Sequence, residues 1–442
     1  MTDTALRPAP VPLSTAFRYW LKLGFISFGG PAGQIAMMHA ELVERRRWIS
    51  EQRFLHALNY CMLLPGPEAT QLAIYIGWLM HKTRGGILAG LLFVLPSAVL
   101  LAVLSYIYMA FGALPAVAAV LYGVKPAVVA IVIGAAWRIG KRSLKNGALQ
   151  AIAAAAFVGI VAGLPFPLIV LGAAAIGWLG GRLWPARFQV GGQHPGSRAS
   201  YGLALIDDDT PTPAHAAFSW AGLARVGAGG AALGVAAWAL LAARYGIDGA
   251  FAQMAWFFTK AALMTFGGAY AVLPYVYQGG VDHFHWLSAA QMMDGLALGE
   301  TTPGPLIMIV AFVGFVGGWQ QALAGASPAA AGVVGAAVAA FFTFLPSFVF
   351  ILGGGPLIES TRDNVRMTAP LTAISAAVVG VIASLAVFFG RHVFLGAGGV
   401  PDWPALAIGA AACVAVLRYQ AGTIKLIAAC AMAGLVLSYW HV

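Results

Sequence analysis

Lys22, Lys125, Lys260, Glu68 and Glu300 are ionisable side chains set inside otherwise apolar sequence, beside points where a helix cannot continue. Glu68 follows Pro65-Gly66-Pro67, and Glu300-Thr301-Thr302 precedes Pro303-Gly304-Pro305, with the two proline pairs 238 residues apart. Each proline ring removes a backbone donor and clashes with the preceding turn, so both segments must break. Irregular backbone at membrane depth survives only where protein or a watery cavity covers it, which makes the breaks candidate functional sites. A restarting helix presents free N–H groups and the positive end of its dipole, a ready site for an anion with several acceptor oxygens. The substrate-binding candidates are therefore Gly29, Gly30, Pro31, Pro65, Gly66, Pro67, Gly267, Gly268, Pro303, Gly304 and Pro305. Gln71, Thr301 and Thr302 add neutral hydrogen-bonding groups.

The charged residues divide by role. Lys22 and Lys260 sit at matching positions, seven residues before the first glycine of Phe28-Gly29-Gly30 and Phe266-Gly267-Gly268, about 10 Å along a helix. They can attract or neutralise an anion, or snorkel to the interface. Lys125, in Gly123-Val124-Lys125-Pro126, falls mid-span without an equivalent, since Ser375 aligns there. Glu68 and Glu300 would repel a dianion unless protonated, and so are candidate proton carriers; Glu68 can equally cap a helix start. His56 and Asp294 match each other in register but lie near hairpin bases, where interfacial solvation accounts for both. The competing reading of the breaks is tight packing of small residues between membrane helices. No P-loop, paired metal motif or nucleophile elbow occurs, so neither an enzyme nor a cofactor or metal site is expected.

Positioning these residues falls to apolar spans. The chain has 442 residues, 60% hydrophobic and 9% charged, with several apolar runs near the length of a membrane crossing, which excludes a soluble fold. The net charge of +10 lies in short loops beside those runs, a topology signal and not a nucleic-acid footprint. Residues 1–11 are polar with Pro8 and Pro10, unlike a cleavable signal peptide, so the N-terminus is expected intact and cytoplasmic. Cys61, Cys413 and Cys430 have no ligand spacing and read as packing residues.

Sliding the sequence on itself by 238 residues also pairs Ser27 with Thr265, Trp48 with Trp286, and Ser50 with Ser288. At 250 residues, Leu95-Pro96-Ser97 meets Leu345-Pro346-Ser347. A duplicated domain of this kind is the usual build of secondary transporters. Arg45, Arg46, Arg47 and Arg53, then His81, Lys82 and Arg84, make the first-half loops cytoplasmic. Their counterparts at 281–291 and 317–327 contain no Lys or Arg and read as external, which inverts the second copy.

Because 54–80 and 14–44 each run between basic ends, each is expected to enter and leave on one side as a re-entrant hairpin. The expected fold is an all-α polytopic membrane protein of two inverted-topology repeats. Each has two re-entrant helical hairpins followed by about four transmembrane helices: 87–110, 116–138, 147–162 and 165–181, then 329–352, 368–389, 403–417 and 422–440. Lys141, Arg142, Lys145, Arg362, Arg366, Arg418 and Lys425 fall inside on this path, while Arg244 and Arg391 fall outside against it. The domain plan is a tail (1–13), a first repeat (14–183), a polar cytoplasmic linker (184–217), one connecting span (218–245) and a second repeat (246–442). Asp207-Asp208-Asp209 in the linker reads as a solvated patch.

Ser27-Phe28-Gly29-Gly30-Pro31-Ala32, Glu44-Arg45-Arg46-Arg47-Trp48-Ile49-Ser50 and the stretch 63–78 (LLPGPEATQLAIYIGW) resemble the chromate transporter family in its long, two-domain form. Thr265-Phe266-Gly267-Gly268-Ala269-Tyr270 and Glu300-Thr301-Thr302-Pro303-Gly304-Pro305 agree from the second half, although Ala269 stands where the first copy has a proline. The resemblance implies a multi-pass protein of the bacterial inner membrane that exports chromate, a tetrahedral oxyanion, and confers chromate resistance; some members are linked to sulfate. A dianion leaving through 100 mV gains roughly 4.6 kcal/mol, so potential alone can drive export and proton coupling, as in an antiporter, is optional. Import of sulfate or another oxyanion, and a scaffold or sensor without flux, are the alternatives. The expected partners are chromate or sulfate and the lipid bilayer, with no nucleic acid; small-residue helix faces are compatible with a homodimer.

Overall fold

The computed structural model describes residues 8–28, 30–188, 201–211, 213–266, 268–321, 327–360, 368–395 and 399–440. Gly29, Gly267, Arg362 and Arg366 lie outside them. In chain order the helices are α1 (Leu13–Ile26), α2 (Gly30–His39), α3 (Glu51–Leu63), α4 (Glu68–Phe111), α5 (Pro115–Ser143), α6 (Gly147–Val161), α7 (Phe166–Leu183), the short α8 (Pro185–Phe188) and α9 (Trp220–Tyr245). There follow α10 (Ala250–Leu263), α11 (Ala269–Tyr277), α12 (Ala289–Thr301), α13 (Ile309–Gln320), α14 (Pro328–Ser360), α15 (Thr368–Phe394), α16 (Trp403–Leu417) and α17 (Thr423–Trp440). Among the described residues, α4, α5, α7, α9, α14 and α15 are long and apolar enough to cross a membrane. This is a polytopic membrane protein. Lipid is the medium α9 requires: none of its residues is buried, and Leu233, Val235 and Leu240 are 52%, 64% and 72% exposed.

The helices break where the sequence requires. Gly30, Gly66, Gly268 and Gly304 have φ of +71°, +126°, +103° and +95°, a backbone that a Cβ would strain. At each break the chain doubles back. In the first, the Tyr19 and Trp48 rings meet at 5.3 Å, bringing the start of α1 beside the residues after α2. In the third, Phe257 of α10 stacks on Tyr275 of α11 at 4.8 Å. In the fourth, Gln320 at the end of α13 donates to Gln291 at the start of α12 at 3.2 Å. In the second, His56 near the start of α3 donates to the Ile358 carbonyl at 3.0 Å, while Tyr75, two turns into α4, bonds Glu359. Both arms of that pair therefore meet one stretch of α14. A one-residue expansion of the helix follows α2 and α11 alike, at Ala40–Arg45 and Gln278–His283.

Helix α4 is two helices in one run, because His81 and Lys82 leave helical geometry and Lys82 takes φ +58°. Gly77 packs on the Gly85 carbonyl across this corner, and Gly314 of α13 packs on the Gly335 carbonyl of α14 in the same way. Glycine is needed at such crossings since a methyl would collide with backbone. The linker is less free than a solvated patch. Ser50, the N-cap of α3, donates to Asp208 at 2.5 Å, Arg53 donates to the Thr210 carbonyl at 2.6 Å, and His215 donates to the Trp78 carbonyl at 3.1 Å. Burial pushes the His215 imidazole below its usual range.

Candidate oxyanion site

The breaks meet across the two halves. The Gly66 N–H donates to the Thr265 carbonyl at 2.7 Å, and the Gly304 N–H donates to the Ser27 carbonyl at 2.9 Å. Gly304 lies 238 residues after Gly66, and Thr265 lies 238 after Ser27, so the second bond is the first with the halves exchanged. The surroundings repeat the exchange at the 250-residue offset. A Cβ on Gly66 would stand 2.5 Å from the Ser347 hydroxyl, and one on Gly304 would stand 3.1 Å from that of Ser97. Two junctions result, one joining Gly304, Ser27 and Ser97, the other joining Gly66, Thr265 and Ser347.

Both junctions are buried and polar. Ser27, Gln34, Thr70, Gln71, Ser97, Thr265 and Ser347 are all 0% exposed, and Thr302 is 6% exposed. Gln34 on α2 spans its junction, its amide nitrogen donating to the Gly304 carbonyl at 2.5 Å and the Ser27 carbonyl at 3.2 Å. Gln71, one turn into α4, donates to the Pro65 carbonyl at 2.7 Å. The hydroxyls of Ser27, Thr70 and Ser97 and the amide oxygens of Gln34 and Gln71 have no hydrogen-bond partner. Buried polar atoms are rarely left so, and a cluster of them at helix starts points to a ligand or water. An apolar cavity of about 610 Å³ between α4, α9 and α14, lined by residues such as Leu91, Leu233 and Phe341, offers an anion nothing.

The remaining sequence candidates are placed as follows. Pro65 is half-buried, Pro67, Pro303 and Pro305 are buried at the junctions, and Pro31 opens α2. The Thr301 and Thr302 hydroxyls bond back to the Leu298 and Gly299 carbonyls at 2.7 Å and 2.9 Å, still able to accept. Lys22 is exposed, and the Lys260 ammonium stands 5.6 Å from the centre of the Trp256 ring, itself 61% exposed. Neither lysine is brought to the junctions by any recorded contact. Glu68 and Glu300 are half-buried; Glu300 accepts from the Tyr270 hydroxyl of α11. The α5 guanidinium groups of Arg142 and Arg138 lie within electrostatic range of Glu68 and Glu300 respectively.

Lys125 is not a free cation. Its ammonium lies 3.4 Å from Asp294 of α12, whose other oxygen accepts from the Tyr108 hydroxyl at 3.0 Å. Asp294 is 4% exposed, which corrects the expectation of an interfacial, solvated residue: α12 turns it inward against α5. Sequence reasoning also missed Ser27, Ser97, Thr265 and Ser347 as site residues, although their recurrence at the two repeat offsets was the available signal. Gln34 carried no such signal, since Val272 stands opposite it.

A family model described as chromate transporter matches residues 14–178 and 252–435. The chromate transport protein of Pseudomonas aeruginosa is 33% identical over 391 residues, covering 87% of this chain and 83% of its own. That of Cupriavidus metallidurans is 29% identical over 378 residues, covering 85% and 82%. The probable chromate transport protein of Synechococcus elongatus is 29% identical over 403 residues, covering 88% of each. No solved structure matches the chain.

Proposed function

The chain belongs to the chromate transporter family, and on that premise we propose that it exports chromate from the cytoplasm, driven by the membrane potential, so conferring chromate resistance. The observation that carries the site reading is the exchanged pair of bonds, Gly66 to Thr265 and Gly304 to Ser27, surrounded by unpartnered buried hydroxyl and amide groups. The anion takes the place of those missing partners, held by the first N–H groups of the restarting helices and by the hydroxyls of Ser27, Thr70 and Ser97.

The membrane path belongs to the same proposal. Each doubled-back helix pair is a re-entrant hairpin, α9 crosses once, and the second half is inverted relative to the first. Loop charge supports this. The N-terminus and linker are cytoplasmic. Glu68 and Glu300 flank the two tips and are the proton carriers if export is coupled; each has a cation of α5 in range to hold its charge when empty of a proton.

The decisive measurement is flux in liposomes containing the purified chain, with a potential imposed and labelled chromate outside. Potential-dependent accumulation is expected, reduced by Ser27→Ala and by Ser97→Ala, each raising the apparent Kd roughly fivefold for about 1 kcal/mol of lost hydrogen bonding. Absence of flux at any potential would overturn transport. Indifference of the rate to a pH gradient, and to Glu68→Gln and Glu300→Gln, would remove the coupling alone.

A further inference from the structure

We infer that the junctions select an oxyanion that still carries a proton: hydrogen chromate, in preference to the chromate dianion. This rests on the reading of chromate as substrate and of the junctions as its site.

The donor and acceptor inventory drives the inference. The Gln34 amide nitrogen is committed to two carbonyls, at 2.5 Å and 3.2 Å, and that of Gln71 to a third at 2.7 Å. Carbonyls only accept, so the network fixes both amides with nitrogen toward the backbone and leaves the two oxygens over. Those oxygens are buried, unpartnered and can only accept. A fully deprotonated dianion has no donor. Placed at either junction it would leave that junction's amide oxygen bare and set its own charge against it.

A metal cation would suit the amide oxygens but not the helices. α2, α4 and α11 all start at these junctions, and their starts carry partial positive charge. A monoanion with one O–H meets both requirements: its charge faces the helix starts and its proton faces an amide oxygen. Chromate takes up its first proton near neutral pH, molybdate only in mild acid and sulfate only in strong acid. The site therefore separates chromate from sulfate by protonation state, where shape alone does not. One charge, not two, then crosses with each anion.

Titratable groups of the protein stand close by and must be told apart from the substrate's own proton. They are Glu68 on α4, Glu300 on α12 with Tyr270 on α11, Asp294 with Lys125 and Tyr108, and Arg138 and Arg142 on α5. A protein group would impose one midpoint on every anion, whereas substrate protonation gives each anion its own.

The test is equilibrium binding of radiolabelled chromate, and separately molybdate, to the purified full chain from mildly acid to alkaline pH, with and without excess sulfate. Above neutrality the apparent affinity for total chromate is expected to fall about tenfold per pH unit, following the protonated fraction. The molybdate curve is expected to lie at lower pH, and sulfate to leave bound chromate in place. Chromate binding that is flat with pH, a midpoint shared by the two anions, or displacement by sulfate would each overturn the inference while leaving the substrate reading standing. No chromate bound at any pH would overturn the substrate reading, and this inference with it.

Discussion

A buried charge is tolerated in a bilayer only with a partner, and Lys125 has one. The apolar stretch around Lys125 showed from sequence alone that an intramembrane cation must be functional or paired. Which of the two could not be read, because the partner sits 169 residues later on α12 and only folding brings it to 3.4 Å. The pair makes a sharp prediction. Lys125→Met strands Asp294 as an uncompensated buried charge and should lower stability by about 3–5 kcal/mol, visible as a drop in the thermal unfolding temperature in detergent. Lys125→Met combined with Asp294→Leu should regain most of that loss, since an apolar pair of similar volume carries no desolvation penalty. If the double variant unfolds as early as the single one, the two residues are not coupled. The junction residues behave differently: Ser27 and Ser97 were visible only as members of repeat pairs, and Gln34 was not visible at all, because a lone polar residue on a short helix has no pattern to betray it.

At the scale of elements, proline and glycine made the breaks legible. What could not be read was how each glycine is crowded. Gly268 and Gly304 share a positive φ, yet a Cβ on Gly268 would meet nothing within 4 Å, while one on Gly304 would stand 2.7 Å from Ser97 Cβ. Gly268→Ala therefore costs backbone strain alone, about 1 kcal/mol, whereas Gly304→Ala adds displacement of α4 and should cost about 3 kcal/mol. Thermal unfolding of the two variants ranks them, and equal losses would mean the Gly304 junction is looser than its packing indicates. The docking of the linker was not legible, since composition cannot show that Asp208 bonds the N-cap of α3 and that His215 bonds α4. His215 has its pKa lowered by burial, so its contribution to docking is present above the ordinary imidazole value of 6.5 and is lost as pH falls through the lower folded value. Limited proteolysis within the linker should accelerate on acidification, and His215→Gln should flatten that dependence.

For the molecule as a whole, the proposed inversion rests on loop charge. On the proposed path the basic turn at Lys82 faces the cytoplasm and the uncharged-to-acidic turn at Asp282 faces outside. The exchanged bonds between breaks make the halves equivalent, but a two-fold axis along the membrane normal would exchange them as well as one in its plane, so the bonds carry duplication and leave inversion to loop charge. Arg244 and Arg391 stand against the charge argument as single residues. Both Lys82 and Asp282 are exposed, and the chain's own cysteines are buried at Cys61 and Cys430 and half-buried at Cys413, so a new surface thiol will dominate labelling. In intact cells a membrane-impermeant maleimide should label Asp282→Cys at once and Lys82→Cys only after permeabilisation. Labelling of both from outside, or of neither, would place the two turns on one side and make the halves parallel. The tips would then enter from the same face, with no route for an anion to be handed between them, and the junctions would have to be read as packing.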